Sequence, residues 1–218
     1  MTLLPLLIAA SALVAIAAGL GLLPGAVLFA AKPLTTALLI VHAARRGQDE
    51  PAVRRWILAG LVLSLAGDVA LLWPKEGFLP GLIAFLLAHL AYIAAFHRRL
   101  RFGARWQPFA VYALIAVLVL ALLWPGIPAA LTVPVLLYVT CLGSMAAQAA
   151  AVWWAARGTA GEALARRAAA GGALFMLSDA LLAFNKFAGP LPLSPLLVLA
   201  TYWTAQWCIV GSLRDGRG

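Results

Sequence analysis

Long apolar runs constrain this chain more than any other feature of its sequence. Each run is close to the roughly 20 residues that an α-helix needs to cross the hydrocarbon layer of a bilayer. Of the 218 residues, 65% are hydrophobic and only 11% are charged, whereas about a quarter of the residues in an average soluble domain are charged. So few polar residues cannot cover the surface of a soluble fold of this size. We therefore predict an all-α, polytopic membrane protein.

Eight apolar runs are separated by short polar or Pro/Gly-containing breaks. The predicted transmembrane spans are residues 3–20, 24–43, 56–73, 78–96, 107–124, 129–156, 168–184 and 191–213. They leave only short loops and no room for a soluble module. The prediction is a single transmembrane domain over residues 1–218.

The cations fall almost entirely in alternate loops. Thirteen of the sixteen Lys and Arg residues follow the even-numbered spans: Arg45, Arg46, Arg54, Arg55, Arg98, Arg99, Arg101, Arg105, Arg157, Arg166, Arg167, Arg214 and Arg217. The opposite loops hold Lys75 and Lys186, and Lys32 lies inside the second span. The positive-inside rule then places both termini in the cytoplasm. Because the composition is rich in Ala and Arg, the membrane we expect is a bacterial inner membrane.

The net charge of +9 follows from this topology and from contact between loop arginines and anionic lipid headgroups. A nucleic-acid partner would need a basic face on a folded module. The sequence offers no such module, so we predict membrane lipid and no nucleic acid as partners. The oligomeric state is left open.

Two segments of the chain resemble each other. Residues 65–72 of the third span and 176–182 of the seventh each carry an aspartate after a small residue, Asp68 and Asp179. Both spans run in the same direction in the predicted topology. The similarity predicts two four-helix halves related by a parallel repeat.

Four ionisable side chains lie inside the predicted spans, on four different helices. They are Lys32, Asp68, His89 and Asp179, and Lys186 stands at a helix end. Such a group costs roughly 2.5–3.5 kcal/mol at mid-membrane, so it marks either a functional interior or a buried ion pair. At about 1.5 Å per residue, all four lie roughly 8–16 Å below the non-cytoplasmic helix ends. We predict one shared polar pocket that opens toward that side.

Helical spacing adds polar neighbours to this pocket. Tyr92 follows His89 by three residues, and Gln206 follows Tyr202 by four, so each pair shares a helix face. Ordinary hydrogen bonding between helices is the alternative role for these side chains. The phenylalanines of the spans, including Phe85 and Phe175, are expected to make packing or lipid contacts.

Paired carboxyl groups in a low-dielectric setting favour general acid and base chemistry. Burial disfavours the charged form and mutual repulsion separates the two groups, which yields one proton donor and one base. The sequence lacks a Gly-rich phosphate loop, a CxxC motif and a G-x-S-x-G elbow. We predict no cofactor and no metal, although Asp68, His89 and Asp179 would supply three zinc ligands. From the residues alone, an enzyme, a small lipid or solute transporter and a structural protein with packing ion pairs all remain open.

The motifs occur in an order that resembles the YhhN family of lysoplasmalogenase-like membrane proteins, over about 180 residues. They are Lys32-Pro33-Leu34-Thr35-Thr36, Gly67-Asp68, Phe78-x-x-Gly81-x-x-x-Phe85-x-x-x-His89-x-x-Tyr92, Leu174-Phe175-x-x-Ser178-Asp179 with Lys186-Phe187, and Tyr202-x-x-x-Gln206. The resemblance implies an eight-helix enzyme that hydrolyses the vinyl ether bond of lysoplasmalogens. The products would be a fatty aldehyde and a glycerophospho-ethanolamine or glycerophospho-choline.

The residues suit this implied chemistry. Asp68 and Asp179 are the expected catalytic pair, one as general acid and the other as the group that stabilises a developing cation and activates water. The expected substrate-binding residues are Lys32, His89, Tyr92, Lys186, Tyr202 and Gln206. The sequence does not assign the two carboxyl roles.

Overall fold

The computed structural model describes residues 3–73 and 75–215, which form eight α-helices joined by short loops. The helices are α1 (Leu3–Gly19), α2 (Ala26–Ala44), α3 (Pro51–Ala70), α4 (Phe78–His97), α5 (Trp106–Leu123), α6 (Ala129–Ala156), α7 (Glu162–Phe187) and α8 (Ser194–Val210). A one-turn 3-10 helix, Trp124–Gly126, follows α5. The all-α prediction is confirmed, and each predicted span overlaps one helix. Arg217, counted above among the cations, lies outside the described residues.

Two helices begin before their apolar spans. α3 begins at Pro51, five residues ahead of its predicted start, and α7 begins at Glu162, six residues ahead. Proline fits a first helical turn because it lacks the N–H that would be unpaired there. An acidic side chain such as Glu162 is favourable at the positive end of the helix dipole. The apolar runs therefore mark the lipid-facing length of these helices and not their ends.

Five of the helices in the described residues are long and apolar enough to cross a membrane, namely α2, α4, α5 with its 3-10 turn, α6 and α7. α1 and α8 have 17 residues each, and α3 carries Arg54, Arg55 and Asp68. The outer surface is also apolar, since large hydrophobic side chains of α5 such as Leu114, Val117 and Leu122 are exposed. Such a surface is typical of a protein in lipid. Eight crossings stay a prediction.

The helices pack in chain order in both halves. α1 to α4 form one series of neighbours and α5 to α8 a second, and the pairs α4–α6 and α2–α8 join the two series. α8 also lies against α1, where a Cβ on Gly19 would come within 2.9 Å of Pro195. The bundle is thereby closed by its last helix.

Glycines on α3 allow α4 to approach closely. A Cβ on Gly67 would lie 2.6 Å from the Phe85 ring, and one on Gly60 would overlap the Tyr92 ring. Small residues let membrane helices bring their backbones together in this way. Because Asp68 follows Gly67 directly, this contact also fixes where the aspartate stands.

One end of the bundle gathers loop arginines. The Arg99 guanidinium lies 2.6 Å from Glu50, and Arg46 pairs with Asp215. The Gly47 amide also donates to the Arg214 carbonyl at 2.8 Å. These contacts connect the segments that follow α2, α4 and α8. The predicted topology places these three segments on the same side of the membrane.

Candidate active site

Asp68 is the centre of a buried polar cluster between α2, α3 and α8. Its Oδ2 accepts hydrogen bonds from Thr36 Oγ1 at 2.6 Å and from the Tyr202 hydroxyl at 2.8 Å. Lys32 Nζ lies 3.6 Å from Oδ1 and donates to the Asp68 carbonyl at 3.2 Å. With 1% of Asp68 exposed, the carboxylate is stabilised by one cation and two hydroxyl donors.

The local sequence of α2 explains the first part of this cluster. Lys32 and Thr36 are four residues apart and share a helix face. The Trp203 indole donates to Thr36 Oγ1 at 3.2 Å. The Thr36 hydroxyl thus accepts from Trp203 and donates its proton to Asp68, because the carboxylate oxygen can only accept.

The cluster continues along α8 to α4. The Gln206 amide donates to the Tyr202 oxygen at 3.4 Å, and the Tyr92 hydroxyl donates to Gln206 Oε1 at 2.7 Å. Tyr92 and Gln206 are fully buried and Tyr202 nearly so. We call Lys32, Thr36, Asp68, Tyr92, Tyr202 and Gln206 the Asp68 cluster.

Asp179 belongs to a second cluster, between α4, α6 and α7. Its Oδ2 accepts a hydrogen bond from the Tyr138 hydroxyl. His89 Nε2 lies 3.1 Å from the Tyr138 oxygen and 3.6 Å from Asp179 Oδ2. Because a carboxylate oxygen can only accept, the Tyr138 proton goes to Asp179, and the Tyr138 oxygen keeps a lone pair within hydrogen-bond distance of His89 Nε2. We call these three residues the Asp179 cluster.

Sequence reasoning missed Tyr138, although a signal for it existed. Tyr138 stands nine residues after Ala129, the first residue of α6, which is a depth of about 13 Å. The same calculation singled out His89 and Asp179 at similar depths. A hydroxyl at that depth on a mostly apolar helix was a candidate partner for a carboxylate.

Aromatic rings separate the two clusters. The Phe175 ring centroid lies 4.7 Å from that of His89 and 5.5 Å from that of Tyr202. Phe85 packs beside it, 5.7 Å from Tyr202. The expected packing role of both phenylalanines is confirmed. The prediction of one shared pocket is not met, because each aspartate finds its partners among different helices.

An apolar cavity of about 340 Å³ lies between α4, α5, α6 and α7. Asp179 and Tyr138 contribute to its wall together with Phe85, and the side chain of Asp179 is 13% exposed. Asp68 is not among the residues that line this cavity. Of the two aspartates, Asp179 is therefore the one that a ligand in this cavity would meet.

Lys186 stands near one end of the cavity. Its Nζ lies 4.7 Å from the ring centroid of Phe78, and the Phe78 ring packs on Phe187 at 5.9 Å. Both rings line the cavity. Lys186 and Asp179 are thus at different depths of the same helix, and the ammonium group is nearer the helix end.

Within the part of the chain that the structure describes, no three His, Cys, Asp or Glu side chains are placed to hold a metal ion. The two clusters separate the three side chains that the sequence offered as zinc ligands, with Asp68 in one cluster and His89 and Asp179 in the other.

Apolar helices that expose hydrophobic side chains and bury ionisable groups define an integral membrane protein, and the apolar cavity beside Asp179 is its candidate site. The YhhN family model matches residues 27–213. The chain belongs to this family.

Curated relatives agree with this membership. Lysoplasmalogenase TMEM86A of Homo sapiens is 35% identical over 191 residues, which cover 82% of this chain and 73% of the relative. Lysoplasmalogenase TMEM86B of Homo sapiens is 33% identical, covering 71% of this chain and 62% of the relative. The uncharacterized membrane protein YhhN of Escherichia coli O157:H7 is 33% identical, covering 43% and 44%. No solved structure gives a significant match.

Proposed function

We propose that this protein is a membrane lysoplasmalogenase, a hydrolase of the vinyl ether bond in alkenyl glycerophosphoethanolamine and glycerophosphocholine. The observation that carries the proposal is the pairing of a carboxyl group with an apolar cavity, Asp179 in the wall formed by α4 to α7. The relatives named as lysoplasmalogenases support the same reaction. A fatty aldehyde and a glycerophospho-alcohol are the products.

The reaction requires an acid and then a base. Protonation of the outer alkene carbon produces an oxocarbenium ion, water adds to its carbon and loses a proton, and the hemiacetal collapses to aldehyde and alcohol. In the proposal, Asp179 donates the first proton and its carboxylate then accepts the proton of the attacking water. Tyr138 engages Oδ2, which leaves Oδ1 to meet the substrate.

Asp68 is the second carboxylate of the proposed mechanism and acts through the cavity wall. It holds Tyr202, whose ring packs on Phe85, and Phe85 lines the cavity. Its negative charge is offset by Lys32 at 3.6 Å, so its proposed contribution is the position of this wall and a modest stabilisation of the cation.

The remaining predicted binding residues take supporting roles in the proposal. Lys186 meets the lipid phosphate, and His89 orients the Tyr138 hydroxyl. Lys32, Tyr92 and Gln206 hold the Asp68 cluster in shape through Asp68 and Tyr202.

We also propose a single transmembrane domain of eight spans over residues 1–218, with both termini on the cytoplasmic side of a bacterial inner membrane. The arginine-rich end of the bundle supports this orientation. The two clusters support a repeat of two four-helix halves. Each aspartate is on the third helix of its half, with one partner on the preceding helix and one on the fourth helix of the other half.

Aldehyde release from lysoplasmenylethanolamine by the detergent-purified protein tests the function. The saturated-ether lysolipid is the substrate control, and Asp179→Asn and Asp68→Asn are assayed in parallel. We expect aldehyde from the vinyl ether alone. Asp179→Asn should lower kcat by about 10²-fold or more because the acid is lost, whereas Asp68→Asn should raise KM as well as lower kcat because the wall shifts.

Two results would contradict the proposal. Normal turnover in the Asp179→Asn variant would show that Asp179 is not the general acid of the reaction. Absence of aldehyde from folded wild-type protein, together with lipid or solute flux in vesicles, would favour the transporter alternative.

A further inference from the structure

The cavity beside Asp179 extends along α7 from Ala173 to Phe187, which is about 21 Å of helix. Asp179 divides this length into about 9 Å toward Ala173 and about 12 Å toward Phe187. The part toward Ala173, which we call the inner half, is lined by Tyr112, Ile115, Ala116, Leu142, Ala173 and Met176. Its wall is almost wholly hydrocarbon.

The two ends of the cavity differ in charge. The outer end has the Lys186 ammonium 4.7 Å from the Phe78 ring centroid, and Phe78 lines the cavity. The inner half has no cationic or anionic side chain among its lining residues. An amphiphile with a phosphate at one end and a hydrocarbon chain at the other matches this polarity in one orientation only.

The inner half also borders the outer surface of the bundle. Ala173 and Leu177, both cavity residues, are exposed. A chain longer than the inner half therefore continues into the surrounding bilayer. At about 340 Å³, the cavity is at the lower end of the usual size range of ligand sites, roughly 300–1,000 Å³, which favours one chain over two.

We propose that the inner half of this cavity is the hydrocarbon-chain site for a single-chain ether phospholipid, with the phosphate toward Lys186 and the ether bond at Asp179. The inference rests on the proposed function for the identity of the ether. Beyond the proposed function, it specifies where the hydrocarbon chain of the lipid lies and which residues limit the space for it. Ala116 on α5 is a small residue of this wall, so a larger side chain at its position would take up space in the inner half.

Ala116→Phe fills this space, and Ala113→Phe is the matched control. Ala113 lies one turn earlier on α5, is exposed and does not line the cavity. Binding is measured with saturated-ether lysophosphatidylethanolamines bearing an ethyl or a hexadecyl chain, since these lack the vinyl ether and are not consumed. Ala116→Leu provides a smaller obstruction in case the phenylalanine variant fails to fold.

We expect Ala116→Phe to weaken hexadecyl binding by about tenfold or more and to leave ethyl binding within about twofold, because the short chain ends near the ether, with a smaller loss in Ala116→Leu. Ala113→Phe should match wild type for both ligands. The proposal is overturned if Ala116→Phe binds the hexadecyl ligand as Ala113→Phe does, or if both ligands weaken equally.

Aldehyde release from a hexadecenyl lysoplasmalogen, assayed on the same preparations, separates this inference from the proposed function. The expected binding pattern without any aldehyde from wild type would reject the hydrolase and keep the chain site. Aldehyde released equally by Ala116→Phe and Ala113→Phe would keep the hydrolase and reject the chain site.

Discussion

At the scale of single residues, the two aspartates differ in what surrounds them. Asp68 has a lysine and two hydroxyl donors and is 1% exposed. Asp179 has a tyrosine and a histidine, and its side chain reaches a cavity. A carboxylate satisfied on all sides stabilises packing, whereas one at a cavity wall can exchange a proton with a ligand.

Tyr138→Phe tests the Asp179 cluster. The variant removes the hydroxyl between His89 and Asp179 and should lower kcat by about 10²-fold with little change in KM, because ring packing is retained. Thr140→Val is the control, since Thr140 is exposed on the same helix, its hydroxyl donates to the Leu136 carbonyl, and its variant should keep near-normal turnover. Equal turnover in the two variants would show that the Tyr138 hydroxyl has no part in the reaction.

The Lys32–Asp68 ion pair makes a prediction about stability. Lys32→Met and Asp68→Asn each leave one buried charge uncompensated, which should cost about 3–5 kcal/mol of unfolding free energy. The double variant should recover most of the lost unfolding free energy, because no buried charge remains. Its turnover should stay below normal. Thermal unfolding in detergent measures the first effect and aldehyde release the second. A double variant with normal turnover would mean that the pair serves packing alone.

At the scale of helices, the glycines of α3 decide how near α4 can lie. Gly67 faces the Phe85 ring, which packs on Tyr202 and lines the cavity. The sequence shows both residues but not their contact, because no periodicity within one helix reveals which neighbour it meets.

Gly67→Ala should therefore displace Phe85. We expect a loss of about 1–3 kcal/mol in unfolding free energy, typical of an overpacked contact, together with reduced turnover as the ring enters the cavity. Gly143→Ala is the matched control, since a Cβ on that α6 glycine meets no atom within 4 Å. A variant at Gly67 as stable and active as the one at Gly143 would contradict this account.

At the scale of the whole molecule, the arrangement of helices gives each aspartate partners from the helix that precedes its own and from one helix of the other group of four. Partners come from α2 and α8 for Asp68 and from α6 and α4 for Asp179. This pattern involves helices far apart in the chain and is invisible in the short sequence similarity around the two aspartates.

The predicted orientation has a direct test. In a background with Cys141 and Cys208 replaced by Ala, Lys75→Cys and Thr159→Cys introduce thiols at exposed loop positions. A membrane-impermeant maleimide on intact cells should label Lys75→Cys only, because the positive-inside rule places Thr159 in the cytoplasm. Labelling of Thr159→Cys alone would reverse the topology.

The amino-acid sequence by itself determined the helical class, the approximate helix positions and the buried ionisable residues. Those properties depend on hydrophobicity and helical spacing, which are local along the chain. The family resemblance, confirmed by the match over residues 27–213, also came from the sequence.

Only the tertiary structure decided how those residues are grouped. Lys32 meets Asp68 across 36 positions, and Tyr138 meets Asp179 across 41. Depth calculations place side chains along the membrane normal but not around the bundle, so they joined two aspartates that Phe175 in fact separates. The position of a side chain around the bundle is fixed by the order of the helices and by close packing at glycines. Both arise from contacts between distant parts of the chain.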